Sequence, residues 1–278
     1  MSFLVVVVVF LIVQYWGSGE PLHRDGWWKS WADTISRSFS DSGITLLLQV
    51  LLPVVVVWWL LHWLAGVSSF LLMLASVPAL LYCLGRGDFS EWVNGYIDAF
   101  KRNDNEVAAE YAQRLGVLTE ELDGWPDLHR AVLQRVTYRA FERMFVAIFW
   151  FVLLGVAGAL FYRLAQFARE RTENSEEVRL LAARLMWILE WPVVRVLGCS
   201  LALTGNFMGA FQSVIDSLWS FDESTELKLE RMVHGALNVN GSELVQEGIT
   251  ESEIEALQPL LSRSLVLWLC VLGLIGLF

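Results

Sequence analysis

The sequence predicts an all-α, polytopic helical membrane protein, with about four to six membrane helices joined by amphipathic helical loops. Three observations predict it. Of the 278 residues, 55% are hydrophobic and only 18% charged, and the mean hydropathy is +0.49; soluble chains carry about 25% charge. The apolar residues fall in blocks, at 3–13, 44–66, 67–84, 144–161, 193–210 and 265–278. Two of these, 44–66 and 67–84, are adjacent, and each approaches the roughly 20 residues that cross a bilayer as a helix. Tryptophan gathers at block borders, as at Trp16, Trp27, Trp28 and Trp31; there the ring and its single N–H donor suit the membrane interface.

Residues 1–85 form an N-terminal membrane part. No basic residue precedes the first apolar run and no small-residue cleavage site follows it, so 1–16 reads as a retained span rather than a signal peptide. As a helix it reaches only about 24 Å. Segment 17–43 carries Arg24, Lys29 and Arg37 among the tryptophans and is expected on the membrane surface. Blocks 44–66 and 67–84 form a helical hairpin with Pro53 and Pro78 in its arms. Each proline removes one helical hydrogen bond, which gives either a plain kink or a kink that shapes a cavity.

Residues 86–143 are expected as a helical, cytoplasmic loop. Phe89, Trp92, Val93, Tyr96, Ile97 and Phe100 recur at helical spacing. A second helix over 106–115 is capped by Asn103 or Asp104. A third starts at Pro126, with Asp127 beside the positive helix end. No breaker interrupts 128–154, so this helix should run into the 144–161 span as one rod of about 35 residues. Residues 144–210 hold membrane helices with a charged seam, and 162–184 reads as a surface helix within them. Residues 211–263 form an acidic helical loop with ten Asp/Glu against three Lys/Arg; it includes a helix over 213–234 and a capping box at Thr250–Glu253. Residues 264–278 are a C-terminal apolar segment.

The net charge of −10 argues against nucleic acid as a partner. Cys83, Cys199 and Cys270 are far apart in apolar blocks, and His23, His62, His129 and His234 are isolated. No disulfide and no metal site is expected. Neither phosphate-loop nor hydrolase motifs occur. No catalytic residue and no cofactor can be named. The loops 17–43 and 86–143 hold eleven Lys/Arg and should face the cytoplasm. The five arginines of 162–184 conflict with that orientation, unless that segment is interfacial or one block does not cross.

The candidate ligand-binding residues are Arg86, Asp88, Asp98, Arg102, Asn103, Asp104, Arg143, Glu190, Arg195 and Asn206. Glu190 and Arg195 flank Pro192 in an apolar stretch that continues to Asn206. An intramembrane charge costs about 2.5–3.5 kcal/mol on insertion scales, so these two either pair or face a cavity. Gly85 and Gly87 beside Arg86 read as an anion loop or as a helix end with a membrane-edge anchor. Asp98, Arg102, Asn103 and Asp104 read as a helix terminus or as a binding cluster. Arg139, Glu142, Arg143 and Arg163 border the 144–161 span as snorkelling anchors, with Arg143 also a candidate.

Several separated motifs together resemble the AmpE family. They are RDGWW (24–28), SVPALLYCLGRGD (76–88), FWFVLLGVAGALFYRL (149–164), WPVVRVL (191–197) and ALTGNF (202–207). That family comprises bacterial inner-membrane, multi-pass proteins encoded beside a cell-wall recycling amidase and implicated in β-lactamase regulation. The resemblance implies modulation of cell-wall stress signalling and β-lactamase induction. The implied partners are the lipid bilayer and a cell-wall precursor or recycling-pathway component, with a homodimer left open. AmpE is similar to the CobD/CbiB membrane synthases of cobalamin synthesis, which form an amide using ATP. Pro192 and Arg195 resemble their shared Pro-x-x-Arg element. The Gly-Asp-Pro and His-Pro signature expected after the first span is absent, and Val13-Gln14 stands where an acidic residue is common. In the synthase alternative, Asp88, Asp98 and Asp104 would hold metal, and Arg102 and Arg195 would clamp phosphate.

Overall fold

The computed structural model describes residues 2–16, 25–84, 90–118, 125–219, 223–237 and 251–277. Among these residues every regular element is helical. In order they are α1 (Ser2–Trp16), α2 (Gly26–Ser38), α3 (Ser42–Val67), α4 (Ser69–Cys83), α5 (Ser90–Lys101), α6 (Asn105–Leu115) and α7 (Trp125–Ala140). A π-helical turn (Phe141–Val146) then precedes α8 (Ala147–Glu170), α9 (Glu176–Thr204), α10 (Phe207–Trp219), α11 (Thr225–Leu237) and α12 (Glu251–Leu277). Among the described residues four runs are long and apolar enough to cross a membrane, namely Ser42–Val67, Asp127–Glu170, Glu176–Thr204 and Glu253–Ile275; two shorter apolar helices are Phe3–Val13 and Ser69–Cys83. Leu47, Val55, Trp58, Trp59, Trp63, Phe70, Leu74 and Leu154 are exposed. Water would not tolerate so much open apolar surface, and a bilayer supplies its solvent. The chain is a multi-pass helical membrane protein.

The chain divides into two compact units, one of residues 1–87, 143–190 and 275–278, the other of 88–142 and 191–274. In the first unit, α3 and α4 pack against each other on either side of Ser68. Asp41 starts α3 by accepting the Ile44 N–H at 2.8 Å, and Ser68 ends it with an extended backbone (φ −162°). Pro53 and Pro78 lie inside continuous helices. α2 buries Trp28, Ala32 and Ile35, one face at helical spacing. The Gln49 Nε2 of α3 donates to Ser36 Oγ at 3.0 Å and to Asn174 Oδ1 at 3.2 Å. These bonds tie the start of α3 to α2 and to the turn after α8.

Two expectations fail around α8. The 128–161 stretch is helical without a break through the π turn and into the span, as expected, but it is not one straight rod, because Gly155 leaves the helical basin at φ 67°, ψ −158°. A Cβ placed on Gly158 would lie 2.5 Å from the Trp150 carbonyl oxygen. Eight residues of straight helix would hold those positions about 12 Å apart. The helix therefore turns sharply at Gly155 into a second arm, 156–170. That arm is not a surface helix, because Tyr162, Arg163, Leu164, Ala165, Gln166 and Ala168 are all buried. Arg163 is thus a packed group and not a snorkelling anchor.

In the second unit, α5 and α6 meet at Asn103, which takes a left-handed φ of 55°. α6 ends at Gly116 with φ 90°, the left-handed C-terminal position that glycine fills without strain. The expected helix over 213–234 is instead two helices, α10 and α11. They approach at Gly209 and Gly235, where a Cβ on either would lie 2.3 or 2.4 Å from the other's carbonyl oxygen. α12 continues from its acidic start to Leu277 with no break at 263–264. Thr204 and Ser264 hydroxyls share a hydrogen bond of 2.9 Å, and Trp268 Nε1 donates to Ser200 Oγ at 2.7 Å. Thr250, the expected cap of α12, lies outside the described residues.

Candidate functional site

α9 carries the charged stretch as one helix through Pro192. Glu190 belongs to the first unit and is only 2% exposed. The Tyr162 hydroxyl, from the second arm of α8, donates to its Oε1 at 3.0 Å. One residue earlier, the Leu189 carbonyl accepts from Trp150 Nε1 at 3.2 Å. Both arms of the bent helix thus bond to one turn of α9. The Gly155 bend also borders a cavity of about 260 Å³, lined by Trp58, His62, Met73, Ser76 and Phe151 among others. Tyr162 had no sequence signal beyond its place at the end of an apolar run; the bend that brings it to Glu190 is not legible locally.

Arg195 belongs to the second unit. Its Nη1 donates to the Trp191 carbonyl at 2.8 Å and its Nη2 to the Ser217 carbonyl at 3.1 Å. The guanidinium lies 3.8 Å from the centre of the Trp191 ring, a cation–π contact. Each of the two charges has partners of its own. Asn206 lies further on, beyond the end of α9. Its backbone N–H donates to the Ala236 carbonyl at 2.7 Å, and its side chain accepts the Gly209 N–H at 3.4 Å. Asn206 so starts α10, and with Thr204, Pro259 and Arg263 it lines a cavity of about 610 Å³.

The other candidates fall elsewhere. Asp98, Arg102, Asn103 and Asp104 are exposed. Arg102 Nε donates to the Asp98 backbone carbonyl at 3.1 Å, and Asp104 caps α6 by accepting the Val107 N–H at 3.2 Å. The set builds the α5–α6 corner beside an open polar cavity of about 410 Å³, where Lys101 pairs with Glu255. Arg143 is half-buried in the π turn. Arg86 and Asp88 lie outside the described residues. Among the described residues no three His, Cys, Asp or Glu side chains gather as metal ligands would.

Sequence reasoning missed a buried ionic group in the second unit. Glu230 and Glu253 are buried. Arg130 Nε bonds to Glu230 at 2.5 Å, and His234 Nδ1 lies 2.8 Å from Glu253 Oε1. The hydrogen bond to Glu253 raises the His234 pKa above its ordinary value, against an opposing effect of burial; the charges of Glu253 and Glu230 raise it further. The acidic tally of 211–263 was the available signal, but it cannot tell which carboxylates turn inward.

The family model described as "Regulatory signalling modulator protein AmpE" matches residues 1–246. The chain belongs to the AmpE family. It is also 26% identical over 179 residues to the cobalamin biosynthesis protein CobD of Stutzerimonas stutzeri (strain A1501), a match covering 61% of this chain and 56% of that relative. The AmpE-family chain thus spans little more than half the length of the curated relative it matches. No solved structure matches it.

Proposed function

We propose that this AmpE-family chain acts in the bacterial inner membrane to modulate cell-wall stress signalling and β-lactamase induction, by binding a cell-wall-derived ligand or a partner along the polar stretch of α9. Glu190 carries the proposal. It is a carboxylate 2% exposed on a membrane-crossing helix, held by the Tyr162 hydroxyl at 3.0 Å. A group so costly to bury marks a functional position by default. Arg195 on α9 and Asn206 just beyond its end are further candidate binding residues; Arg102, Asn103 and Asp104 offer an exposed polar surface. The test is a deletion strain complemented with wild type or Glu190→Gln. β-Lactamase induction and wall-precursor levels should change on deletion and be restored by wild type only. Unchanged induction and precursor levels on deletion would refute the reading.

The likeness to CobD favours a second reading, an ATP-dependent membrane amide synthase. It expects ATP with Mg²⁺ to raise the melting temperature of the purified chain. No shift would remove it.

A further inference from the structure

Arg163 and Phe167 on the second arm of α8, and Arg171 just past its end, recur every fourth residue, which puts the first two on one helix face with Arg171 following it. That face meets α2. The Phe167 ring packs against Trp28 at a centroid distance of 5.3 Å. The Arg163 guanidinium lies 4.3 Å from the centre of the same ring, and Arg171 pairs with Asp33 of α2.

The donors on this face outnumber their acceptors. Trp28 is 2% exposed and Arg163 9%, and the Arg171 side chain is 8% exposed. Among the described residues, Trp28 Nε1, Arg163 Nε and Arg171 Nη1 are all buried and meet no acceptor. Arg171 has its carboxylates, Asp33 and Glu173. Among the described residues Arg163 has none. Its Nη1 donates to the neutral Gln166 amide oxygen at 2.6 Å, and Glu170 is held by the other end of that amide. A guanidinium does not shed its proton to escape burial. Water could satisfy the N–H groups but would leave the charge unbalanced, and an unbalanced buried charge costs several kcal/mol.

We infer that the face of α8 presented to α2 binds a phosphate-bearing anion, with Arg163 as its charge partner and Trp28 Nε1 and Arg171 Nη1 as further donors. A phosphate oxygen is an acceptor only, and it matches the guanidinium fork. The phosphate could come from a phospholipid headgroup or from a free phosphate ester. The site is separate from Glu190 and stands or falls without the regulatory reading.

The test uses the full chain in a non-ionic detergent, with thermal unfolding followed by tryptophan fluorescence. It is titrated with phosphatidylglycerol, with inorganic phosphate, and with diacylglycerol as the phosphate-free control. Saturable stabilisation by a phosphate probe, absent with diacylglycerol, is expected. A response to phosphatidylglycerol alone assigns a lipid, and one to inorganic phosphate assigns a free ester. Arg163→Gln should weaken the midpoint at least tenfold and Trp28→Phe several-fold. Stabilisation by neither phosphate probe overturns the proposal, as does a wild-type midpoint in Arg163→Gln. If Arg163→Gln does not fold, an unchanged midpoint in Trp28→Phe overturns it.

Discussion

Replacing Gly155 by alanine isolates the backbone cost of the bend in α8. A Cβ at 155 would meet no atom within 4 Å, so the substitution creates no clash. Its whole effect comes from φ 67°, ψ −158°, a region that is essentially glycine's and costs of order 1–3 kcal/mol for other residues. Alanine recovers about 0.4–1 kcal/mol by restricting the unfolded chain. The net loss should be about 1.3 kcal/mol, roughly ninefold in the folded-to-unfolded ratio. Gly66→Ala is the matched control. Gly66 sits in α3 with equally open surroundings and no left-handed φ, so alanine there should stabilise by about 0.5–1 kcal/mol. Reversible unfolding in mixed micelles under a denaturing-detergent titration measures both. Equal effects of the two substitutions would show that residue 155 is ordinary helix and that the bend does not exist.

Three further outcomes are expected. The His234–Glu253 pair raises the histidine's pKa above 6.5 in the folded chain. Its stabilisation is therefore fully present below about pH 6.5 and is lost as pH climbs through the raised value; melting temperatures across pH 6–9 should fall in wild type and lose that component in Glu253→Gln. Gly209→Ala or Gly235→Ala would force the α10 and α11 backbones apart, since the new Cβ lies within 2.4 Å of a carbonyl oxygen; each should cost about 1–3 kcal/mol in thermal unfolding. Asp104→Ala removes the cap of α6 and should cost about 1 kcal/mol, measured the same way.

The membrane class, the α3–α4 pair and the α5–α6 corner were legible because their signals are local. Adjacent apolar blocks and Asp104 before an amphipathic run each act within a few residues. The bend at Gly155 was not legible, because one glycine in an apolar run is tolerated by an ordinary helix and its φ is set by neighbours. The split of 213–234 into α10 and α11 was hidden in the same way, by a periodicity that continues across the break. Of the candidate site, Glu190 was legible as a charge in an apolar stretch. Tyr162 and the inward turn of Arg163 were not, because the face a helix buries depends on partners far away in the chain.

The π turn at Phe141–Val146 has one consequence for how this chain can vary. A π turn winds one surplus residue into the helix. Deleting a single residue between 141 and 146 can be absorbed by returning that turn to α-helical winding, with the downstream faces unmoved. The same deletion within 156–162 would rotate everything after it by about 100°, turning the face that Arg163 and Phe167 share away from α2. Natural length variation in this helix is thus expected to concentrate in the six residues of the turn.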